Sequence, residues 1–212
     1  GGGTIDLSAL TTTTGGSVQF STDRSNYTLA ALTTLGNGRF EIPEAATLNL
    51  PELITWSAGS LAVPADATIN LPELLTLNFV TVALSSSTSA FVTPLLTNAD
   101  HSRFLLSGGA TYTLPVSTYT ATYLPTSAVL FQADGAGTVL SVPNLTTLTD
   151  NFERFAFAST HTVEATRGGV IEFPSLSDVE GPAQSDETLR FVESGGGTID
   201  LSALTTTTGG SV

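Results

Sequence analysis

Residues 38 to 79 are two copies of one pattern. GRFEIPEAATLNLPELITWSA, Gly38 to Ala58, lies without a gap over GSLAVPADATINLPELLTLNF, Gly59 to Phe79, at an offset of 21 residues. Pro43 falls over Pro64, Leu48 and Leu50 over Ile69 and Leu71. Asn49, Pro51, Glu52, Leu53 and Thr55 fall over Asn70, Pro72, Glu73, Leu74 and Thr76. Within each copy apolar and polar residues alternate briefly, and then a proline, glycine or small residue intervenes. Alternation at period two marks a strand with one buried face. Proline has no amide hydrogen to give a ladder, so it marks corners. No segment carries the 3.6 period and caps of an amphipathic helix. A single unit of this kind cannot bury its own apolar face, so stacking of units has to do it.

The pattern runs through the whole chain. The second apolar residue of its h-x-L-P-x-L unit recurs as Leu7, Leu29, Leu50, Leu71, Val92, Leu114, Val142, Phe173 and Leu201, in steps of 21 to 31 residues. Three residues on runs a second column: Leu10, Leu32, Leu53, Leu74, Leu95, Leu145, Leu176 and Leu204, with Ser117 in that place after Leu114. A longer period lies over the short one. GGGTIDLSALTTTTGGSV occurs as Gly1 to Val18 and again as Gly195 to Val212, an offset of 194 residues that holds eight short units. Residues 1–212 therefore read as one continuous segment, with 1–194 one tandem period and 195–212 the start of the next.

The fold class this predicts is all-β: a single-stranded parallel β-helix, or β-solenoid, with three short strands and three corners per coil. Coils are 21–31 residues long, eight to the 194-residue period. Right-handed winding is expected, as for nearly all parallel crossovers. Eight coils at the strand spacing would rise roughly 38 Å.

Composition narrows the function classes. The net charge is −13, with six basic residues, all arginine. Nucleic acid and anionic membrane both call for a basic surface, so neither is an expected partner. No apolar run is long enough to span a bilayer, and no signal peptide is expected in a segment read as internal to a longer array. There is no cysteine and no methionine, hence no disulfide staple and nothing on the usual sulfur oxidation ladder. Serine and threonine make up about a quarter of the chain, which suits strands.

The last three coils carry extra residues at one corner, between the third strand of one coil and the first of the next. These insertions, roughly Tyr119 to Ser127, Asp150 to Ser159 and Asp178 to Thr188, should lie side by side on one flank. Such insertions are where solenoids often place a binding surface. The candidate interaction flank is Tyr119, Tyr123, Phe152, Arg154, Phe155, Glu180, Asp186 and Glu187.

Asp178, Glu180, Asp186 and Glu187, with Arg154, Arg167 and Arg190 on neighbouring coils, are the densest charges. Ca²⁺ needs six to eight oxygens, and the spacing follows no known loop, so charged loop tips are the simpler reading. Glu52 and Glu73, stacked one coil apart, read as a solvated face. His101 and His161 have no cysteine beside them and sit about three coils apart, which argues against a zinc site or a triad. The glycine runs lack the strand-to-helix context of a phosphate loop. A threonine column, Thr12, Thr34, Thr55, Thr76, Thr97, Thr147 and Thr206, is interrupted at Tyr119 and Asp178. Ice binding wants two such columns on a flat face, and one is visible, so a β-branched packing ladder is preferred. The sequons at Asn26 and Asn144 are expected by chance in so threonine-rich a chain. No catalytic, metal or cofactor residues are assigned, and the chain is expected not to be an enzyme.

The units NLPELITWSAGSLAVP and NLPELLTLN resemble the coils of receptor L domains, whose repeat is also LP-x-L followed by a glycine corner and a short strand. Near-identical long repeats, many threonines and no cysteine resemble the tandem β-solenoid arrays of very large bacterial surface proteins. The resemblance is to a repeat style and carries over no catalytic residues. It implies an extracellular filament, stalk or adhesin shaft at the cell surface. The expected function is thus a structural repeat unit meeting identical repeats head to tail. The alternative is a module that binds glycans, cations or neighbouring filaments through the insertion flank.

Overall fold

A computed structural model describes residues 6–122, 127–150, 159–183 and 186–209. Every strand ladder among these residues is parallel, and the chain winds as stacked three-sided coils, a parallel β-solenoid. The first face holds β2 (Val18–Ser21), β5 (Gly38–Glu41), the second halves of β7 (Thr55–Val63) and β9 (Thr76–Leu84), then β11 (Arg103–Ser107), β14 (Ser127–Asp134), β17 (Ser159–Thr166) and β20 (Glu187–Ser194). The second face holds β3 (Asn26–Thr28), β6 (Thr47–Asn49), β8 (Thr68–Asn70) and β10 (Ala90–Val92), then β12 (Thr111–Thr113), β15 (Val139–Ser141), β18 (Val170–Glu172) and β21 (Thr198–Asp200). The third face holds β1 (Thr12–Thr13), β4 (Thr34–Leu35) and the first halves of β7 and β9. It continues as β13 (Thr118–Thr120), β16 (Thr147–Thr149), β19 (Asp178–Glu180) and β22 (Thr206–Thr208).

The core is a set of ladders running along the stack. On the first face Phe20, Phe40, Leu61, Val82, Phe104, Phe131, Val163 and Phe191 lie in one register column. Phe20 stacks on Phe40 at 4.8 Å, and Phe40 meets Trp56 edge-on at 5.5 Å. On the second face Tyr27, Leu48, Ile69 and Phe91 form one column and Tyr112, Leu140, Ile171 and Ile199 another. Burying such side chains is worth about 1.5–3 kcal/mol each before entropy is counted, and only the neighbouring coil supplies the cover.

One corner departs from the expected columns. Val63 pairs with Leu84 but Thr68 pairs with Ala90, so the connection through Ser85 to Ser89 is one residue longer than the one before it. Ser89 anchors that corner, its hydroxyl donating to the Val63 and Pro64 carbonyls at 3.0 and 2.9 Å. The added residue turns Val92 outward, opposite Asn70 and 42% exposed, and puts Thr93 in the core column in its place. Leu95, expected inside, is 46% exposed, and Leu96 is buried instead. The next coil recovers the register by a corner one residue shorter. Val116 is buried beside the expected gap at Ser117, Thr118 joins the threonine column over Thr147, and Tyr119 turns inward over Leu148. Asn98, not Thr97, meets Thr76.

Around this slip the second face parts. Among the described residues no ladder joins β10 to β12. The coils are held there by side chains: the Thr93 and Tyr112 hydroxyls share a hydrogen bond at 2.6 Å, and Phe91 packs on Tyr112 at 5.4 Å.

The corner between third and first faces is tight in the early coils. β7 and β9 run through it unbroken, bent at Ala58 and Phe79, which have φ of 65° and 54°. Gly59, beside the bend, has φ of 125°, and a Cβ there would sit 1.8 Å from the Gly38 carbonyl oxygen. Only glycine allows that approach. In the last three coils this bend gives way to the insertions.

Candidate functional site: the insertion flank and the end coils

β13, β16 and β19 are neighbours in one sheet, and β14, β17 and β20 in another. The three insertions join these sets, so the described strands that bracket them meet at one corner of the stack; residues 123–126, 151–158 and 184–185 of the insertions lie outside the described residues. Of the candidate flank residues, Tyr123, Phe152, Arg154 and Phe155 lie outside the described residues. Tyr119 is a correction: it is 1% exposed, donates its hydroxyl to the Ser102 carbonyl at 2.7 Å and packs on Phe131 at 4.7 Å. Burial drives its hydroxyl pKa well above the ordinary value, and the negative charge of Asp150 adds to the rise. Glu187 is a second correction. It opens β20 on the inward parity of Leu189, opposite Ser159, and is 1% exposed. Glu180 and Asp186 are exposed. The described part of the flank thus presents carboxylates, with its expected tyrosine inside the core.

At the base of the insertions lies a pair that sequence reasoning missed. Asp150 follows β16, and its amide donates to the Glu180 carbonyl at 2.7 Å. Its Oδ1 lies 2.6 Å from Nδ1 of His161, and both side chains are 0% exposed. The other carboxylate oxygen, Oδ2, has no hydrogen-bond partner among the described residues. Burial raises the Asp150 pKa from its ordinary value, opposed by the hydrogen bond and charge of His161. Parity was the available signal: Leu148 faces in and Asp150 is two residues on, while Ser159, His161, Val163 and Ala165 alternate inward. Neither side chain is open to solvent, so the pair offers a substrate no approach. Among the described residues no three His, Cys, Asp or Glu converge as a metal site.

Elsewhere the polar columns hold coils together. Asn70 donates through Nδ2 to Asn49 Oδ1 at 2.8 Å, while Glu52 and Glu73 are exposed. Beside the expected threonine column runs one that binds across coils. Thr33, Thr97, Thr146 and Thr205 each donate a hydroxyl to a carbonyl of the preceding coil, those of Thr11, Leu75, Ser117 and Ser177, at 3.1–3.2 Å. Arg167 and Asp134 form an ion pair between neighbouring coils, and the arginine holds that carboxyl below its usual range.

The two end coils share one sequence and, where both are described, one local structure. The Leu10 amide donates to the Leu7 carbonyl at 3.0 Å, and the Leu204 amide to Leu201 at 3.0 Å. The Ser8 amide donates to Asp6 Oδ1 at 2.9 Å, and the Ser202 amide to Asp200 Oδ1 at 2.9 Å. Their neighbours differ. Near the start of the chain the Thr11 carbonyl accepts from the Thr33 amide of the following coil at 2.9 Å. Near the end Thr205, the matching residue, donates its amide to Ser177 of the preceding coil at 3.0 Å. Thr12 likewise pairs with Thr34, and its counterpart Thr206 with Asp178. One sequence therefore packs by its upper side in one place and its lower side in the other. Gly197 makes the same point: a Cβ there would lie 2.2 Å from the Ala165 carbonyl oxygen of the coil beneath, and its counterpart Gly3 is also glycine. No protein-family profile, curated protein or solved structure matches this chain.

Proposed function

We propose that the chain is a structural repeat unit of an extracellular filament, stalk or adhesin shaft, continuing head to tail into identical units. The observation that carries this reading is the use of both sides of one coil sequence. If Gly195 to Val212 is laid on Gly1 to Val18, the coil has a partner below in β18 and β19 and a partner above in β4. The stack then continues with no new kind of contact. Continuation also meets strand edges that would otherwise invite unspecific pairing, and a head-to-tail contact that does not close builds a filament. The setting outside the cell rests on composition, an acidic chain with no sulfur to oxidise. The described residues offer a buried carboxylate–imidazole pair and no reachable acid–base cleft, so the role assigned is mechanical. Electron microscopy of a chain of several units tests it. Long rods with an axial repeat of roughly 38 Å are the expected result; separate compact beads on a string would refute it.

A further inference from the structure

The register of the coils specifies the joint between units. Among the described residues β20 pairs with β17 alone and β2 with β5 alone, so within that set each has one unpaired edge, at opposite ends of the stack. Both belong to the first face and to the same columns: Phe20 heads the column that Phe191 closes. The inward residues at these edges are incompletely covered. Phe20 is 9% exposed, against 2% for Phe40 one coil on, and Val18, Leu7, Leu10 and Phe191 are half-buried. Between them the first coil leaves an open groove of about 750 Å³, lined by Leu7, Leu10, Val18, Phe20 and Tyr27.

The repeated sequence says what covers that groove. Leu201 and Leu204, the counterparts of Leu7 and Leu10, already lie on a coil at the other end, where Phe173 donates its amide to Asp200 and Phe173 and Leu176 are fully buried.

We infer that successive units join by pairing β20 of one unit with β2 of the next, in parallel, with Leu189 over Val18, Arg190 beside Gln19 and Phe191 over Phe20. The partner is a second copy of this sequence, and the inference rests on the rod reading above. The joint is an ordinary coil contact: it continues the Phe20–Phe40 ladder through the boundary and closes the groove with Leu189 and Phe191. A shift by one residue would turn these side chains to solvent, because the side-chain period is two. The register is therefore strongly selected.

The chain contains no cysteine, so the joint can be probed by paired substitutions without background. The test chain is two periods long, residues 1–194 followed by residues 1–212. Arg190→Cys in the first unit and Gln19→Cys in the second sit on exposed, outward positions and leave the core untouched. Neighbouring parallel strands bring Cα atoms to about 5 Å, within the span of a disulfide. Gln19→Cys with Arg39→Cys in one unit is the positive control, since Gln19 pairs with Arg39. Thr188→Cys or Val192→Cys in the first unit replaces Arg190→Cys as the out-of-register control. Mild oxidation and mass spectrometry of the digest should find the 190–19 bridge as readily as the 19–39 bridge, and the controls at under roughly one tenth of that yield. Rods by microscopy with no bridge, or with equal bridging by the controls, would overturn this register while leaving the rod reading intact. No bridge and no rods would sink both.

Discussion

At the scale of single residues, the pair of Asp150 and His161 makes the clearest demand. Both side chains are wholly inside the stack, and burial raises the Asp150 pKa from its ordinary 3.8. The native state then holds that proton more tightly than the unfolded chain does. The stability tied to it is complete below 3.8 and is lost as pH rises through the folded value. Asp150→Asn keeps an acceptor for the imidazole and removes the titration. In urea melts from about pH 3 to about pH 7, the unfolding free energy of the native chain minus that of the variant should fall as pH rises. A difference that stays flat would show that the carboxyl titrates alike folded and unfolded. Gly59 makes a steric demand. With φ of 125° and the Gly38 carbonyl oxygen 1.8 Å from where a Cβ would sit, Gly59→Ala should cost about 1–3 kcal/mol or more. Gly16, which would have nothing within 4 Å of an added Cβ, should accept alanine within about 0.5 kcal/mol. Equal urea midpoints for the two variants would refute the close-approach account.

Elements show how far the sequence could be read. The strands, their parallel stacking and the three insertions at one corner follow from period-two alternation and the offset of 21 residues, because each inward side chain needs a match on the next coil. The slip at the fifth coil does not follow. Ala90, Phe91, Val92 and Thr93 can be threaded either way, and valine is the more apolar choice for the core. The decision lies in the length of the Ser85 to Ser89 corner, where Ser89 bonds two carbonyls of the previous coil, a contact that leaves no mark on periodicity. The same compensation turned Tyr119 inward, and with it went one of the aromatic residues expected on the flank. The outcome can be tested at the parted second face. Thr93→Val would leave the buried Tyr112 hydroxyl without the partner it now holds at 2.6 Å, a loss of about 1–3 kcal/mol. Tyr112→Phe should cost a similar amount, and the double variant less than the sum of the two. Strictly additive losses in a double-mutant cycle would mean that the hydroxyl pair does not hold the seam.

For the whole molecule, stability depends on what a coil is worth when it has two neighbours. Leu29, Leu50 and Leu71 are 0% exposed because coils lie above and below them, while Leu7 and Leu201 in the same column are half-buried. In a stack with only nearest-neighbour contacts, stability is a sum of coil terms and interface terms. Each added period then brings its own interfaces together with one new joint, while the two exposed end coils are counted once. Chains of one, two and three periods should therefore show urea midpoints that rise and then level off. The largest gain should come from one to two, where the first joint covers Phe20, Val18 and Phe191. Far-UV circular dichroism gives the midpoints, and the same series with Phe191→Ala in every unit isolates the joint. That substitution removes a side chain that is half-covered at a free end and fully covered at a joint. Its cost per unit should thus grow from the one-period to the three-period chain, approaching the about 3–5 kcal/mol of a core phenylalanine. Midpoints that ignore copy number, with a constant cost for Phe191→Ala, would describe units that fold as separate beads, and the shared coil would then be a coincidence of sequence without a structural consequence.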